Sequence, residues 1–223
     1  MTTITILGVL ISVHVRKTLV ALTHKGIEHR VEPVVPFDPP PDWAALSPTG
    51  LIPVMRDADF TLPDSSAICQ YLERKQATPP ILPADPEAFA RALWFDAYAG
   101  NLFRDVVHGL FFEKVIGPAM LDRATDLAAV DRIQDQVVPK YFGYLDSQAV
   151  GPFLVGEALT LADIAIASNL INYRYLGLGI DPAEYPRLAA YARDIVAQPA
   201  FRTALAGERP FAEQMGLDRS FVA

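Results

Sequence analysis

The chain is poor in several things, and each shortage excludes something. It holds one cysteine, Cys69, among 223 residues. A single thiol rules out an internal disulfide framework and any metal site built from several cysteines. Cys69 itself reads as a buried small apolar residue. Cationic side chains are outnumbered, 19 Lys and Arg against 26 Asp and Glu, for a formal net charge of −7. That balance argues against nucleic acid or an anionic membrane as partner, while leaving room for a locally positive site for a small anion. No apolar run reaches the roughly 18 residues that span a bilayer. The start, Met1 to Ile6, lacks the basic stretch and long apolar run of a signal peptide. The expectation is a soluble cytoplasmic protein. There is no internal repeat and no low-complexity tract.

What is present is ample core material, 51% hydrophobic residues, with order in its patterning. Thr3 to Leu7 alternates as a strand. Val13 to Lys25 carries Val15, Leu19 and Leu22 at helical spacing and stops at Gly26. His29 to Val34 reads as a second strand, completing a βαβ unit. A proline-rich loop follows from Phe37, then a short helix at Trp43–Leu46. Strands at 53–56 and 60–62 flank the turn Asp57-Ala58-Asp59, and Ser65 to Arg74 is a helix with Ile68, Tyr71 and Leu72 on one face. The run Thr78 to Pro86, dense in proline, reads as a linker. Everything beyond it reads as helix: a stripe of Phe103, Val106, Val107, Leu110 and Phe111, a helix over 124–144 kinked at Pro139, a strongly apolar helix over 161–175, and shorter helices at 186–197 and 199–205. The expected fold is α/β plus all-α, with an N-terminal βαβ-ββα domain over 1–77, a linker at 78–85 and a helical-bundle domain over 86–223.

Three segments carry more than fold. In Ser47-Pro48-Thr49-Gly50-Leu51-Ile52-Pro53, a turn runs into a proline that opens a strand. Such a proline lies at a sheet edge or in an unusual geometry, which leaves the backbone of Ile52 able to pair with an extended peptide. Asp64-Ser65 stands at a helix start. The pair either caps the helix or lends its hydroxyl and positive dipole end to a bound carboxylate. In Leu159-Thr160-Leu161-Ala162-Asp163-Ile164, Thr160 and Asp163 form a capping box and Leu159 a staple on Ile164, a wholly structural device.

With Gly50-Leu51-Ile52-Pro53-Val54, Asp64-Ser65-Ser66-Ala67-Ile68 followed by Tyr71-Leu72-Glu73, and Leu159 to Ile164 in this order, the chain resembles the cytosolic glutathione S-transferase superfamily over nearly its whole length. The resemblance implies a thioredoxin-like first domain that binds glutathione as co-substrate, and a helical second domain. It implies no metal, and a homodimer to which Trp43 and Phe60 contribute apolar surface. It places Leu51, Ile52, Pro53, Asp64 and Ser65 on glutathione. It departs at Leu51, where many relatives carry a basic residue near the glycine end of the tripeptide, and at Val13, where relatives often carry proline. The catalytic task is to hold the glutathione thiolate, since a free thiol at pKa about 8.5 is mostly protonated at neutral pH. Ser12 lies where the serine of serine-type relatives lies. Its hydroxyl either caps the first helix or donates to the sulfur, helped by the helix dipole and by Arg16. His14 is the rival donor. The electrophile is expected between the domains, against Val13, Tyr98, Asn101, Leu102, His108 and Phe112.

The implied activity is glutathione transfer to a hydrophobic electrophile. Two alternatives stand beside it. One is glutathione-dependent isomerisation, dehalogenation or reductive ether cleavage. Maleylacetoacetate isomerases, however, start their first helix with Ser-Ser-Cys, unlike Ile11-Ser12-Val13-His14. The other is a binding module without catalysis.

Overall fold

The computed structural model describes residues 3–222. Strand β1 (Ile4–Leu7) is buried along its whole length, as the centre of a sheet demands. Helix α1 (Val13–His24) leads to β2 (His29–Glu32), which pairs parallel to β1. After the short α2 (Trp43–Leu46), β3 (Val54–Asp57) and β4 (Phe60–Pro63) form a hairpin. The sheet order is β2-β1-β3-β4, with β3 antiparallel to β1 through Thr5, Ile6 and Leu7 against Arg56, Met55 and Val54. The Ile52–Pro53 peptide bond is cis. Helix α3 (Ser65–Lys75) closes this thioredoxin-like unit. Gly8, at φ +155°, ends β1 where a Cβ would stand 2.6 Å from Val15 Cγ2, so only glycine lets α1 and Ile52 approach the strand this closely.

The helical domain begins with α4 (Pro86–Leu102), opened by Pro86 and capped by Asp85, whose carboxylate accepts from Ala88 N–H at 2.9 Å. The helix continues through α5 (His108–Phe111) and α6 (Gly117–Met120), with wide π-type turns at Phe103–Val107 and Phe112–Ile116 between them. Next come α7 (Leu127–Arg132), α8 (Val138–Gln148), α9 (Leu161–Tyr175), α10 (Pro186–Ile195) and α11 (Pro199–Gln214). Helix α9 is the hub: every residue but Arg174 is buried, and it packs on both α1 and α4. Asp163 holds its start, accepting from Thr160 N–H at 2.9 Å and Thr160 Oγ1 at 3.0 Å, from Leu154 N–H at 2.8 Å and from the Tyr191 hydroxyl at 3.1 Å.

Three expectations change. The helix expected from residue 124 starts at Leu127, because the Asp126 carboxylate accepts from Ala129 N–H at 3.0 Å and caps it there. The irregularity tied to Pro139 is a wide turn at Ile133–Val137 just before it, where the missing proline N–H leaves the ladder a donor short. The last helix runs on past Leu205 and through Pro210, held by the buried Glu208 and Ala212 on its inner side. Of the two aromatics expected at a partner surface, Phe60 is exposed. Trp43 is buried in its own core, with its indole N–H donating to Gly50 C=O at 3.1 Å, so it is unavailable to a second chain. Cys69 is buried, and burial pushes its thiol up to about 12, which makes it inert as a nucleophile at neutral pH. No helix among the described residues is long and apolar enough to cross a membrane.

Candidate active site

Between the sheet domain and the helical domain lies a cavity of about 260 Å³. The loop after β1 and the first turn of α1 form one wall with Ile11, Ser12, Val13 and His14. Leu51 and Ile52 form a second, and Phe103, Val107, His108, Phe111 and Phe112 a third. Phe37 and Ile116 complete an apolar lining, and Asn172 reaches in from α9.

Ser12 is the residue before α1, with extended backbone (φ −68°, ψ 132°). Its Oγ accepts from Val15 N–H at 3.5 Å, the outer limit of a hydrogen bond, so the cap is a weak one. An acceptor role uses a lone pair and leaves the hydroxyl proton free, and that proton has no acceptor among the described residues. His14, one turn into α1, stacks edge-on against Phe103 with ring centroids 4.5 Å apart, and its Nδ1 lies 3.4 Å from Ser65 Oγ. Its ring is thus turned toward the start of α3. One edge stays accessible. Burial of the remainder, with the Lys17 ammonium adding to it, nevertheless pushes the imidazole down from 6.5 to about 4, so it is neutral at pH 7.

That shift fixes a pH dependence. Between about 4 and 6.5 the unfolded chain binds a proton at His14 that the folded chain refuses, so stability is full at pH 7 and falls as pH drops through this window. The loss approaches on the order of 3 kcal/mol near pH 4. Denaturant unfolding at pH 7 and pH 4.5 is expected to show His14→Phe losing clearly less stability than the wild type over that interval. Equal losses would contradict the neutral, enclosed imidazole.

At the start of α3, Asp64 sits at φ +76°, a left-handed conformation rare outside glycine. Its Oδ1 accepts from Ser66 and Ala67 N–H, both at 2.9 Å, which leaves Oδ2 uncommitted among the described residues. The N–H of Ser65 has no partner among them, and neither does the N–H or C=O of Ile52. Lys17 stands beside this helix start, its ammonium held by Asp96 and by Ser66 Oγ at 2.8 Å. Leu51 is 64% exposed at the cavity edge.

The structure therefore gathers Ser12, Val13, His14, Leu51, Ile52, His108 and Phe112 around one cavity, with Asp64 and Ser65 beside it across His14. Three residues expected on the lining are elsewhere. Tyr98 packs with Trp94, Tyr141 and Tyr144, its hydroxyl donating to Tyr141 C=O at 3.3 Å. Leu102 is core, and Asn101 does not reach the cavity. The wide turn at Phe103–Val107, which follows these three, decides which later residues line the cavity. It takes one residue more than an α-turn and rotates the rest of the helix, so Phe103, Val107 and Phe111 face the cavity while Val106 and Leu110 stay in the core. Arg16, expected to assist at the sulfur, is fully buried and bound to Glu208 at 2.6 Å, Ser168 C=O at 2.8 Å and Asn172 Oδ1 at 2.6 Å. Asn172 was not anticipated, although a polar residue inside so apolar a helix is a signal that it has a specific partner.

Comparison with known proteins agrees with this layout. Models of the glutathione S-transferase N-terminal and C-terminal domains match residues 11–75 and 117–194. Glutathione S-transferase 3 of Zea mays is 29% identical over 206 residues, covering 89% of this chain and 91% of that protein. FtsZ-localized protein A of Caulobacter vibrioides is 28% identical over 204 residues, 87% of each. Among solved structures, a glutathione S-transferase from Rhodospirillum rubrum F11 superimposes with a TM-score of 0.83 at 25% identity, over 91% of this chain and 92% of the other.

Proposed function

The chain belongs to the glutathione S-transferase superfamily, and on that basis we propose that it is a glutathione transferase in which Ser12 holds the thiolate. Glutathione, the co-substrate, lies extended along residues 51–53. Its cysteinyl backbone pairs with the N–H and C=O of Ile52, as a strand added to a sheet edge. Pro53, which has no N–H, lets the chain turn away at that point. The γ-glutamyl carboxylate meets the Ser65 N–H and hydroxyl at the positive end of α3, with the Lys17 charge nearby. The free Oδ2 of Asp64 takes the ammonium. The thiol proton leaves to solvent, and the Ser12 hydroxyl donates to the resulting thiolate and favours that form. The sulfur then attacks a carbon of an electrophile seated in the aromatic cavity, displacing a leaving group or adding to a polarised double bond. Low polarity there strengthens the Ser12 contact.

One observation supports this reading above the rest: a serine hydroxyl with a free proton opens on the same cavity as the Ile52 backbone, which has no partner among the described residues, and a helix start with an unpaired N–H stands beside it across His14. The same reading assigns glutathione binding to residues 1–77, the linker to 78–85 and the helical domain to 86–223. It also assigns a cytoplasmic homodimer with the exposed Phe60 at the contact.

A second reading has its own support. Leu51 offers no cation for the glycine carboxylate, and one relative is named for its location with FtsZ, so a protein-binding module without transferase activity is the competing assignment. Retention on immobilised glutathione with elution by free glutathione, followed by turnover against a panel of aryl halides and enones, is the expected result for the transferase. Retention without turnover on any of them leaves the glutathione site and removes the transferase. No retention at millimolar loading favours the binding module.

A further inference from the structure

We propose that Asn172 is a positioning residue of the thiol-activating site, locking the peptide group that carries Ser12, and that Glu208 and Arg16 in turn lock Asn172. The inference rests on the transferase reading and deepens it by saying how the helical domain sets the aim of a residue in the other domain.

The geometry runs in one direction. Glu208, on α11, grips Arg16 with two parallel contacts, Oε1 to Nε and Oε2 to Nη2, both 2.6 Å, and Oε2 also accepts from the Tyr175 hydroxyl at 3.0 Å. Arg16 and Glu208 are both 0% exposed. The remaining guanidinium edge donates through Nη1 to Ser168 C=O and to Asn172 Oδ1. A guanidinium has no acceptor, so it can face only the oxygen of the Asn172 amide. That orientation sends Asn172 Nδ2 to the C=O of Ile11, 3.2 Å away. The N–H on the other side of the same peptide group, that of Ser12, donates to Val9 C=O at 3.1 Å. The Ile11–Ser12 peptide plane is therefore pinned at both polar atoms. The C=O of Ser12 accepts from Arg16 N–H at 2.9 Å, so the peptide groups on both sides of Ser12 are held and its side-chain torsion and hydroxyl rotor, both of short radius, are the freedoms left. Bonds of this kind are strong in a low-dielectric interior and hold geometry better than packing alone.

Asn172→Leu keeps the volume and removes both bonds. The test is a double-mutant cycle of Asn172→Leu with Ser12→Ala, measuring kcat, KM for glutathione and the pH midpoint of the thiolate absorbance of bound glutathione. The expected result for Asn172→Leu alone is a fall in kcat on the order of 10-fold or more, with KM near the wild-type value and the thiol midpoint moved up toward that of free glutathione. Added to Ser12→Ala, it is expected to change kcat by less than about twofold, because it acts only through Ser12. Losses that add in the double variant, or a folded Asn172→Leu with wild-type kcat and thiol midpoint, would overturn the proposal while leaving the transferase reading intact. Should Ser12→Ala itself leave both quantities unchanged, the Ser12 assignment falls and the proposal with it. Asn172→Ala gives the same readings where the leucine variant does not fold.

Discussion

Glu208→Ala is expected to lower the free energy of unfolding by about 3–5 kcal/mol, a large part of the total of roughly 5–15 kcal/mol for a chain of this kind. The carboxylate is wholly buried and is the counter-ion of a guanidinium that is also wholly buried. Removing it leaves a charge in the interior with only carbonyl and amide acceptors, Ser168 C=O and Asn172 Oδ1. The Tyr175 hydroxyl loses its acceptor as well. Such a cost is mostly the penalty of an unpaired buried charge, and the net worth of the pair is smaller. Replacing both partners, Arg16→Met with Glu208→Leu, is therefore expected to recover most of the loss. The measurement is the denaturant midpoint at constant m-value. A single-variant loss under about 1 kcal/mol would mean that water reaches the guanidinium and that the pair is not buried as described. The doubly replaced chain carries a further expectation: it is stable, yet slow in turnover, because nothing then orients Asn172.

Ser12→Ala is expected to lower kcat by about 10²-fold or more with only a small change in KM for glutathione. The hydroxyl contributes when the sulfur is anionic, so its loss falls on the activated state. Glutathione itself is held elsewhere, by the Ile52 backbone and the start of α3 on the proposed reading. The weak cap to Val15, at 3.5 Å, means that removing Oγ costs the helix little. His14→Phe is the contrasting variant: on the proposed reading the imidazole, whose Nδ1 faces Ser65 Oγ, leaves the sulfur to Ser12, so turnover is expected to fall much less than for Ser12→Ala. The reverse ranking of the two variants would transfer the catalytic assignment to His14.

Much of the fold is written locally. The βαβ-ββα order, the proline-opened helices and the Thr160–Asp163 start of α9 arise from spacing, turn residues and caps, and all are present. Where local pattern misled, a distant contact or an inserted residue was responsible. Phe103, Val106, Val107, Leu110 and Phe111 look like one core stripe, but a wide turn splits them between the core and the cavity, and no side chain announces such a turn. Past Leu205 and through Pro210, helix α11 runs on because Glu208 meets Arg16 some 192 positions away, a partnership that no window of sequence contains. Trp43, which the resemblance assigns to a partner surface, is buried in its own domain, with Gly50 C=O accepting from its indole N–H.

The central claim is that a thiol peptide docks beside Ile52 with its sulfur at the Ser12 hydroxyl. The most direct measurement is the thiolate absorbance of glutathione bound to the wild-type protein, tracked across pH. A midpoint a unit or more below the roughly 8.5 of a free cysteine thiol is the predicted result. Saturable binding with an unshifted midpoint, or no binding at millimolar glutathione, would contradict it.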